Sequence, residues 1–261
     1  VRRQIITFPA GDFDLAGFLD LPVPASGAER VPGVIFCHGF TGNHIEARRL
    51  YSRLVRRLVG FGIGCFRFDH RGCGESEGDF IDFTPTGMLE DLDAALKVFL
   101  EPGCFDPARL AVVGYSLGGT SASYLMSRHT GFRTAVLWAP VARPEIIRER
   151  MSQMPAFEGY RERGFMDFAG LRVSRHYLDE VGERTSPVPW AADFPGPILF
   201  CHGEEDEVVS PEHSELFLKA RNNPGDGRLL IPAADHGFGS AAMIDLLLDE
   251  TERWLVEKLL R

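Results

Sequence analysis

A serine flanked by glycines, a histidine behind the last strand-like run and a cluster of carboxylates between them are the residues of this 261-residue chain that could carry covalent chemistry. The serine is Ser116, in Gly114-Tyr115-Ser116-Leu117-Gly118. Before it, Leu110-Ala111-Val112-Val113 reads as a short buried strand; after it, Gly119 to Met126 reads as a helix. A serine on so sharp a strand-to-helix turn projects its hydroxyl above the sheet. The bare G-x-S-x-G pattern is weak, and its strand–turn–helix context makes it strong. A serine hydroxyl is a poor nucleophile until an imidazole takes its proton, and the imidazole needs an anion to hold its tautomer. The chemistry so implied is acyl transfer.

His236, in Ala234-Asp235-His236-Gly237-Phe238, follows the last strand and precedes the last helix, so it belongs on the same side of the sheet as the serine. His38 and His202 each end a strand in a Cys-His-Gly triplet, while His44, His70, His129, His176 and His213 fall in helical or solvent-facing contexts. The nucleophile-elbow arrangement runs serine, acid, histidine along the chain. The acid is therefore sought in His202-Gly203-Glu204-Glu205-Asp206-Glu207, where Asp206 is the preferred residue and the three glutamates are the alternatives, more ordinary as solvated charges. The oxygen that becomes negative in a tetrahedral intermediate needs donors. The backbone N–H of Leu117, after the nucleophile, and that of Phe40, in His38-Gly39-Phe40-Thr41-Gly42, are placed to supply them. A plain turn at His38-Gly39 is compatible with this, because the turn aims the amide.

The elements that must position these groups alternate between apolar runs and amphipathic stretches, the pattern of a mostly parallel sheet wrapped by helices. Strands are expected at Gln4–Phe8, Asp14–Leu21, Gly33–Cys37, Ile63–Phe68, Leu110–Tyr115, Thr134–Trp138, Pro197–Cys201 and Arg228–Ile231. Helices are expected at Ile45–Phe61, Thr84–Leu100, Pro211–Asn222 and Ala241–Leu260, besides the one after Ser116. From about Val141 to Phe194 the rhythm breaks into Arg, Glu, Met and aromatic residues with proline punctuation and no strand of buried-core composition. The division that follows is an α/β core at 1–140 and 195–261 with an inserted helical cap at 141–194, since a structureless loop of that length is improbable.

Within that insertion Met151, Met154, Phe157, Phe165, Met166 and Phe168 suit an apolar acyl pocket, and equally a cap packing on the core, which is the more ordinary use for most of them. The run Arg143–Arg163 reads as a solvated helical face. Gly72-Cys73-Gly74-Glu75-Ser76 lacks both G-K-S/T and G-x-G-x-x-G and reads as a structural turn.

A formal net charge of −9 argues against a nucleic-acid or anionic-membrane partner. The longest apolar runs are too short to span a bilayer, so no membrane partner is expected. Cys37, Cys65, Cys73, Cys104 and Cys201 fit neither a disulfide framework nor a metal site and read as structural thiols. With thiols reduced and Val1 opening on no leader-like apolar segment, a cytoplasmic protein is expected. Neither cofactor nor metal is implied, and a homodimer is allowed but not required.

Taken together, His38-Gly39-Phe40-Thr41-Gly42, Asp69-His70-Arg71-Gly72-Cys73-Gly74-Glu75-Ser76, Gly114-Tyr115-Ser116-Leu117-Gly118-Gly119, His202-Gly203-Glu204-Glu205-Asp206 and Asp235-His236 resemble, in order and over nearly the whole chain, the α/β-hydrolase superfamily. The H-G-F-T-G opening and the length of the insertion resemble, more narrowly, bacterial cinnamoyl and feruloyl esterases. The resemblance implies a metal-independent carboxylesterase with Ser116, Asp206 and His236 as triad and Phe40 and Leu117 as oxyanion hole. It implies a small-molecule ester as substrate, with cinnamoyl, feruloyl or short-chain acyl groups in a pocket shaped by the cap. Tyr115 and Leu117 stand where that subgroup often has histidine and glutamine. An acyl-thioesterase and an acyl-peptidase are rivals on the same scaffold, and a ligand receptor without turnover is a rival of another class. Dehalogenases and epoxide hydrolases put an aspartate where Ser116 stands. An imidazole base would give the rate profile an acid limb at around pH 6–7.

Overall fold

The computed structural model describes residues 1–23, 30–101, 103–182 and 184–261. Along the chain run strands β1 (Arg2–Ala10), β2 (Phe13–Leu21), β3 (Val31–Cys37), β4 (Gly64–Phe68), β5 (Phe105–Tyr115), β6 (Phe132–Trp138), β7 (Phe165–Phe168), β8 (Leu171–Ser174), β9 (Ile198–Gly203) and β10 (Gly227–Ile231). Eight of them form one sheet in the order β1-β2-β4-β3-β5-β6-β9-β10, antiparallel at β1/β2 and β2/β4 and parallel from there on.

Residues of successive parity on the central strands feed opposite faces. On β3, Val34 and Phe36 join one core while Ile35 and Cys37 join the other. Helices α1 (Leu50–Gly60) and the long C-terminal helix cover the first face with Tyr51, Leu54, Leu58, Leu247 and Leu255. Helices α2 (Pro85–Leu100) and α3 (Leu117–Arg128) cover the second with Leu92, Phe99 and Leu125. This is the doubly wound α/β architecture that the alternation predicts. The side chain of Thr84 caps α2 by accepting from the Gly87 N–H at 3.0 Å.

Two expectations change. The helix expected over Ile45–Phe61 begins at Leu50, because Glu46, Arg48 and Arg49 all sit at positive φ and Ala47–Arg49 is a kinked 3-10 turn; Phe61, expected on its apolar face, is half exposed beyond its end. The segment expected as a helical cap is mixed. It carries the short helices α4 (Glu145–Met151), α5 (Tyr160–Arg163), α6 (Arg175–Glu180) and α7 (Pro187–Ala192), and also the antiparallel hairpin β7/β8. Its turn, Ala169-Gly170, has both residues at positive φ, as the hairpin turns that match strand twist require. The chain closes with α8 (Glu212–Arg221) and α9 (Ala241–Leu260). Among the described residues no helix is long and apolar enough to cross a membrane.

The Gly72–Ser76 segment is a turn built on Asp69, whose carboxylate accepts from the Glu75 N–H at 2.9 Å and whose carbonyl accepts from the Ser76 hydroxyl at 2.6 Å. All five cysteines are free, and burial pushes the thiols of Cys37, Cys65, Cys73 and Cys201 well above their ordinary range.

Candidate active site

Ser116 stands between β5 and α3 at φ 56°, ψ −119°, a conformation a residue with a Cβ adopts only when its surroundings impose it. Here they do. Its N–H donates to the Trp138 carbonyl at 2.8 Å, and its own carbonyl accepts from Gly119 and Val141 at 2.9 and 3.1 Å. The first turn of α3 presses against the end of β3 so closely that a Cβ at Gly118 would stand 1.9 Å from the Cys37 carbonyl oxygen.

The loops after β9 and β10 bring the other two groups to the hydroxyl. His236 Nε2 lies 3.0 Å from Ser116 Oγ, and His236 Nδ1 lies 2.6 Å from Asp206 Oδ2. With Nδ1 donating to the carboxylate, Nε2 is left as an acceptor for the serine hydroxyl. Burial works against the charge on Asp206. Hydrogen bonds from His202 and His236, the nearby His236 ring and the Val209 N–H outweigh it and hold the carboxyl well below the usual carboxylate range. Its second oxygen accepts from the N–H groups of Val208 and Val209 at 2.9 and 2.8 Å. The three residues singled out from sequence are thus brought together, in a continuous chain of hydrogen bonds.

Three of the other histidines have partners of their own. His38 Nε2 accepts from the His70 N–H at 3.1 Å while Nδ1 donates to the Gly39 carbonyl at 2.9 Å. Burial, with His70 beside it, draws its pKa down to about 4. Burial likewise draws His213 to about 4, with Nδ1 accepting from the Ala142 N–H at 3.0 Å. His202 sits between the Val209 carbonyl at 2.8 Å and the Ser214 hydroxyl at 2.7 Å, its Nε2 also 3.4 Å from Asp206.

The loop after β3 borders the serine: a Cβ built on Gly39 would lie 3.4 Å from Ser116 Cβ. The Phe40 ring is anchored between Phe80 and Tyr177, at 5.2 and 5.1 Å between centroids. Among the described residues neither the Phe40 nor the Leu117 N–H finds a hydrogen-bond acceptor. Thr41 holds φ 60° in the same loop.

A cavity of about 630 Å³ opens over Ser116 and His236. Its walls are mostly apolar, with Val141, Ile147, Met151, Met154, Phe168 and Val209, and Arg150 stands as the cation among them. Of the methionines and aromatics weighed from sequence, Met151, Met154 and Phe168 line it. Met166 is buried in the core, Phe157 packs on Tyr160 at 4.4 Å, and Phe165 lies under Arg172.

Four contributors have no signal in the sequence pattern. The Tyr115 hydroxyl donates to the His236 carbonyl at 2.8 Å, and its ring stacks on the imidazole at 5.3 Å. Arg48 reaches the Gly237 carbonyl at 2.8 Å, and Arg150 of α4 donates to the Glu207 carbonyl in the acid loop. The fourth is Glu46, nearly buried, whose Oε1 accepts from the Gly39 N–H at 2.6 Å; burial raises its pKa against that bond. The spacing of Glu46 fell inside an expected helix, which concealed it.

The chain is similar to several known proteins. The uncharacterized protein YfhR of Escherichia coli K12 is 29% identical over 217 residues, which cover 82% of this chain and 65% of that protein. Est1E from Butyrivibrio proteoclasticus, solved with ferulic acid bound, superposes with a TM-score of 0.84 at 22% identity, covering 98% of this chain and all of Est1E. A puromycin-hydrolyzing peptidase of Mycobacterium tuberculosis superposes with a TM-score of 0.73 at 21% identity, over 99% of this chain and 39% of that one. The two superpositions show the α/β-hydrolase fold. Residues 29–160, from the strand before the Phe40 loop through the elbow to the start of α5, match a family of hydrolases described as serine aminopeptidase, S33, and to that family the chain belongs.

Proposed function

We propose that the chain is a serine carboxylic-ester hydrolase that works through an acyl-enzyme. The observation that carries this reading is the run Ser116 Oγ, His236 Nε2, His236 Nδ1, Asp206 Oδ2 beneath an apolar cavity. As Ser116 Oγ adds to the ester carbonyl carbon, its proton passes to His236 Nε2, and Asp206 stabilises the imidazolium that forms. The carbonyl oxygen takes the negative charge between the N–H groups of Phe40 and Leu117. Collapse breaks the ester bond, and the imidazolium gives its proton to the departing alkoxide. Water then surrenders a proton to His236 and attacks the acyl carbon; as the acyl–Oγ bond breaks, His236 returns that proton to Ser116 Oγ and the acid is released. The cavity walls suit an apolar acyl group, and the ferulic acid held by Est1E supports an aromatic one.

A peptidase reading has its own support in the family description and in the puromycin-hydrolyzing neighbour. A free α-ammonium group needs an acidic partner, however, and among the described residues no carboxylate lines the cavity, where Arg150 stands, so esters are favoured. The test is the specificity constant for p-nitrophenyl butyrate, methyl ferulate and leucine p-nitroanilide. Wild type should hydrolyse the esters, and Ser116→Ala should lower kcat by about 10⁵–10⁶-fold while leaving the protein folded. Ester turnover surviving in Ser116→Ala, or faster cleavage of the anilide, would overturn the assignment.

A further inference from the structure

We propose that Glu46 is a positioning residue for acyl transfer: its carboxylate clamps the Gly39 N–H so that the next amide, that of Phe40, stays free and aimed at the developing oxyanion. The inference rests on the esterase reading. It begins with a carboxylate that the hydrogen-bond relay leaves unused, 7% exposed, standing behind the loop that borders Ser116.

One oxygen of Glu46 takes the Gly39 N–H at 2.6 Å and the other faces the Ala47 N–H at 3.2 Å. The approach depends on Gly42, where a Cβ would stand 2.6 Å from Glu46 Oε1. The backbone of Glu46 itself lies at φ 60°, ψ 162°, a region that glycine alone enters freely. A strained backbone persists only where its surroundings over-determine it. Here the Glu46 N–H is held by Asn43, its carbonyl receives Arg49, and its side chain reaches back across the loop. The first two fix the backbone from which the carboxylate reaches Gly39.

A buried carboxylate that only satisfied a turn would serve equally well on any amide of the loop. Glu46 instead occupies the N–H immediately before the expected donor. Two successive peptide groups have to point apart for one to serve the substrate: Glu46 takes the N–H of the first, and the carbonyl of the second accepts from the Gly42 N–H at 3.0 Å and from His38 Nδ1 at 2.9 Å. The Phe40 ring, packed between Phe80 and Tyr177, pins the far side of the same peptide. Held from both ends, the amide does not have to be reorganised when charge develops, which is the condition under which such donors are effective.

The experiment compares Glu46→Ala, Glu46→Gln and Glu46→Asp in the full chain. The readouts are kcat and KM on p-nitrophenyl butyrate, Ki for an alkyl trifluoromethyl ketone that forms an oxyanion on Ser116, and the rate of Ser116 labelling by a fluorophosphonate. Glu46→Ala should lose about 10²-fold in kcat, with KM within about 3-fold and with Ki rising in step with the loss. Glu46→Gln, whose amide oxygen still accepts from Gly39, should stay within about 10-fold of wild type, while Glu46→Asp, too short to reach, should fall with the alanine variant. The proposal is overturned by a wild-type kcat in Glu46→Asp, by equal losses in the glutamine and aspartate variants, or by a loss confined to KM. If Glu46→Ala does not fold, the glutamine and aspartate variants decide. Wild-type inactivity on the ester would defeat the esterase reading alone, because the labelling rates of wild type and variants still report on the oxyanion loop.

Discussion

Asp206 lies between two imidazoles, and its two oxygens have different duties. Oδ1 is spent on the N–H groups of Val208 and Val209, which shape the loop, and Oδ2 meets His236 with His202 close by. Replacing it with asparagine keeps the shape but offers His236 an amide in place of a charge. Asp206→Asn should lower kcat by about 10⁴-fold on p-nitrophenyl butyrate, and a loss of under tenfold would remove Asp206 from the relay. The same residue has a stability signature. Its folded pKa lies below the unfolded value, so its contribution is present above about pH 4 and is lost as pH falls through the folded value. Thermal melts of wild type and Asp206→Asn should therefore differ most near neutrality and converge in acid; a constant gap would contradict the linkage. Ser116, Asp206 and His236 were legible as neighbours because each follows the carboxyl end of a parallel strand, where loops share one side of the sheet. Glu46 and Tyr115 were not, because nothing in a linear pattern tells a buried side chain facing a backbone amide from one on a helix or strand.

At the scale of elements, the strands and the longer helices could be read from period and turn residues, to within a few residues at their ends. The exceptions have local causes. Three residues at positive φ delay α1, and none of them is a glycine that would have announced it. The β7/β8 hairpin has four-residue strands and Ala169 at a turn position that asparagine or aspartate usually fills, so no hairpin signal is present. Helix α4 meets the acid loop through Arg150 and the Glu207 carbonyl, at the wall of the cavity. Arg150→Ala should lower kcat/KM on p-nitrophenyl butyrate by about fivefold, the worth of one partly exposed charged hydrogen bond, and should hasten limited proteolysis within residues 141–194. Unchanged turnover and unchanged nicking would show that α4 is held without it.

For the molecule as a whole, fold class followed from alternation, while the polar interior behind the site did not. Arg67, on the central strand β4, is buried with its guanidinium 2.7 Å from the Asp20 carboxylate and 3.0 Å from the His44 carbonyl. A sequence reading sees these as one arginine and one aspartate on two apolar strands. Arg67→Met should cost about 3–5 kcal/mol by stranding Asp20, lowering the melting temperature by about 10 °C. Asp20→Leu combined with Arg67→Met should recover much of that loss, and a single variant that melts like wild type would mean that Arg3, also 2.7 Å from Asp20, suffices.

Ten non-glycine residues at positive φ occur among the described residues, and seven of them, Thr41, Glu46, Arg48, Arg49, Ser116, Ala233 and Phe238, lie in the three loops that converge on the hydroxyl. Conformational tension gathered there sets the chain's evolutionary options. A library screened for heat resistance alone would find its easiest gains by relaxing those seven positions, and would return robust proteins with idle sites. A library screened for turnover would leave the loops tense and draw its stability from the helices behind the sheet.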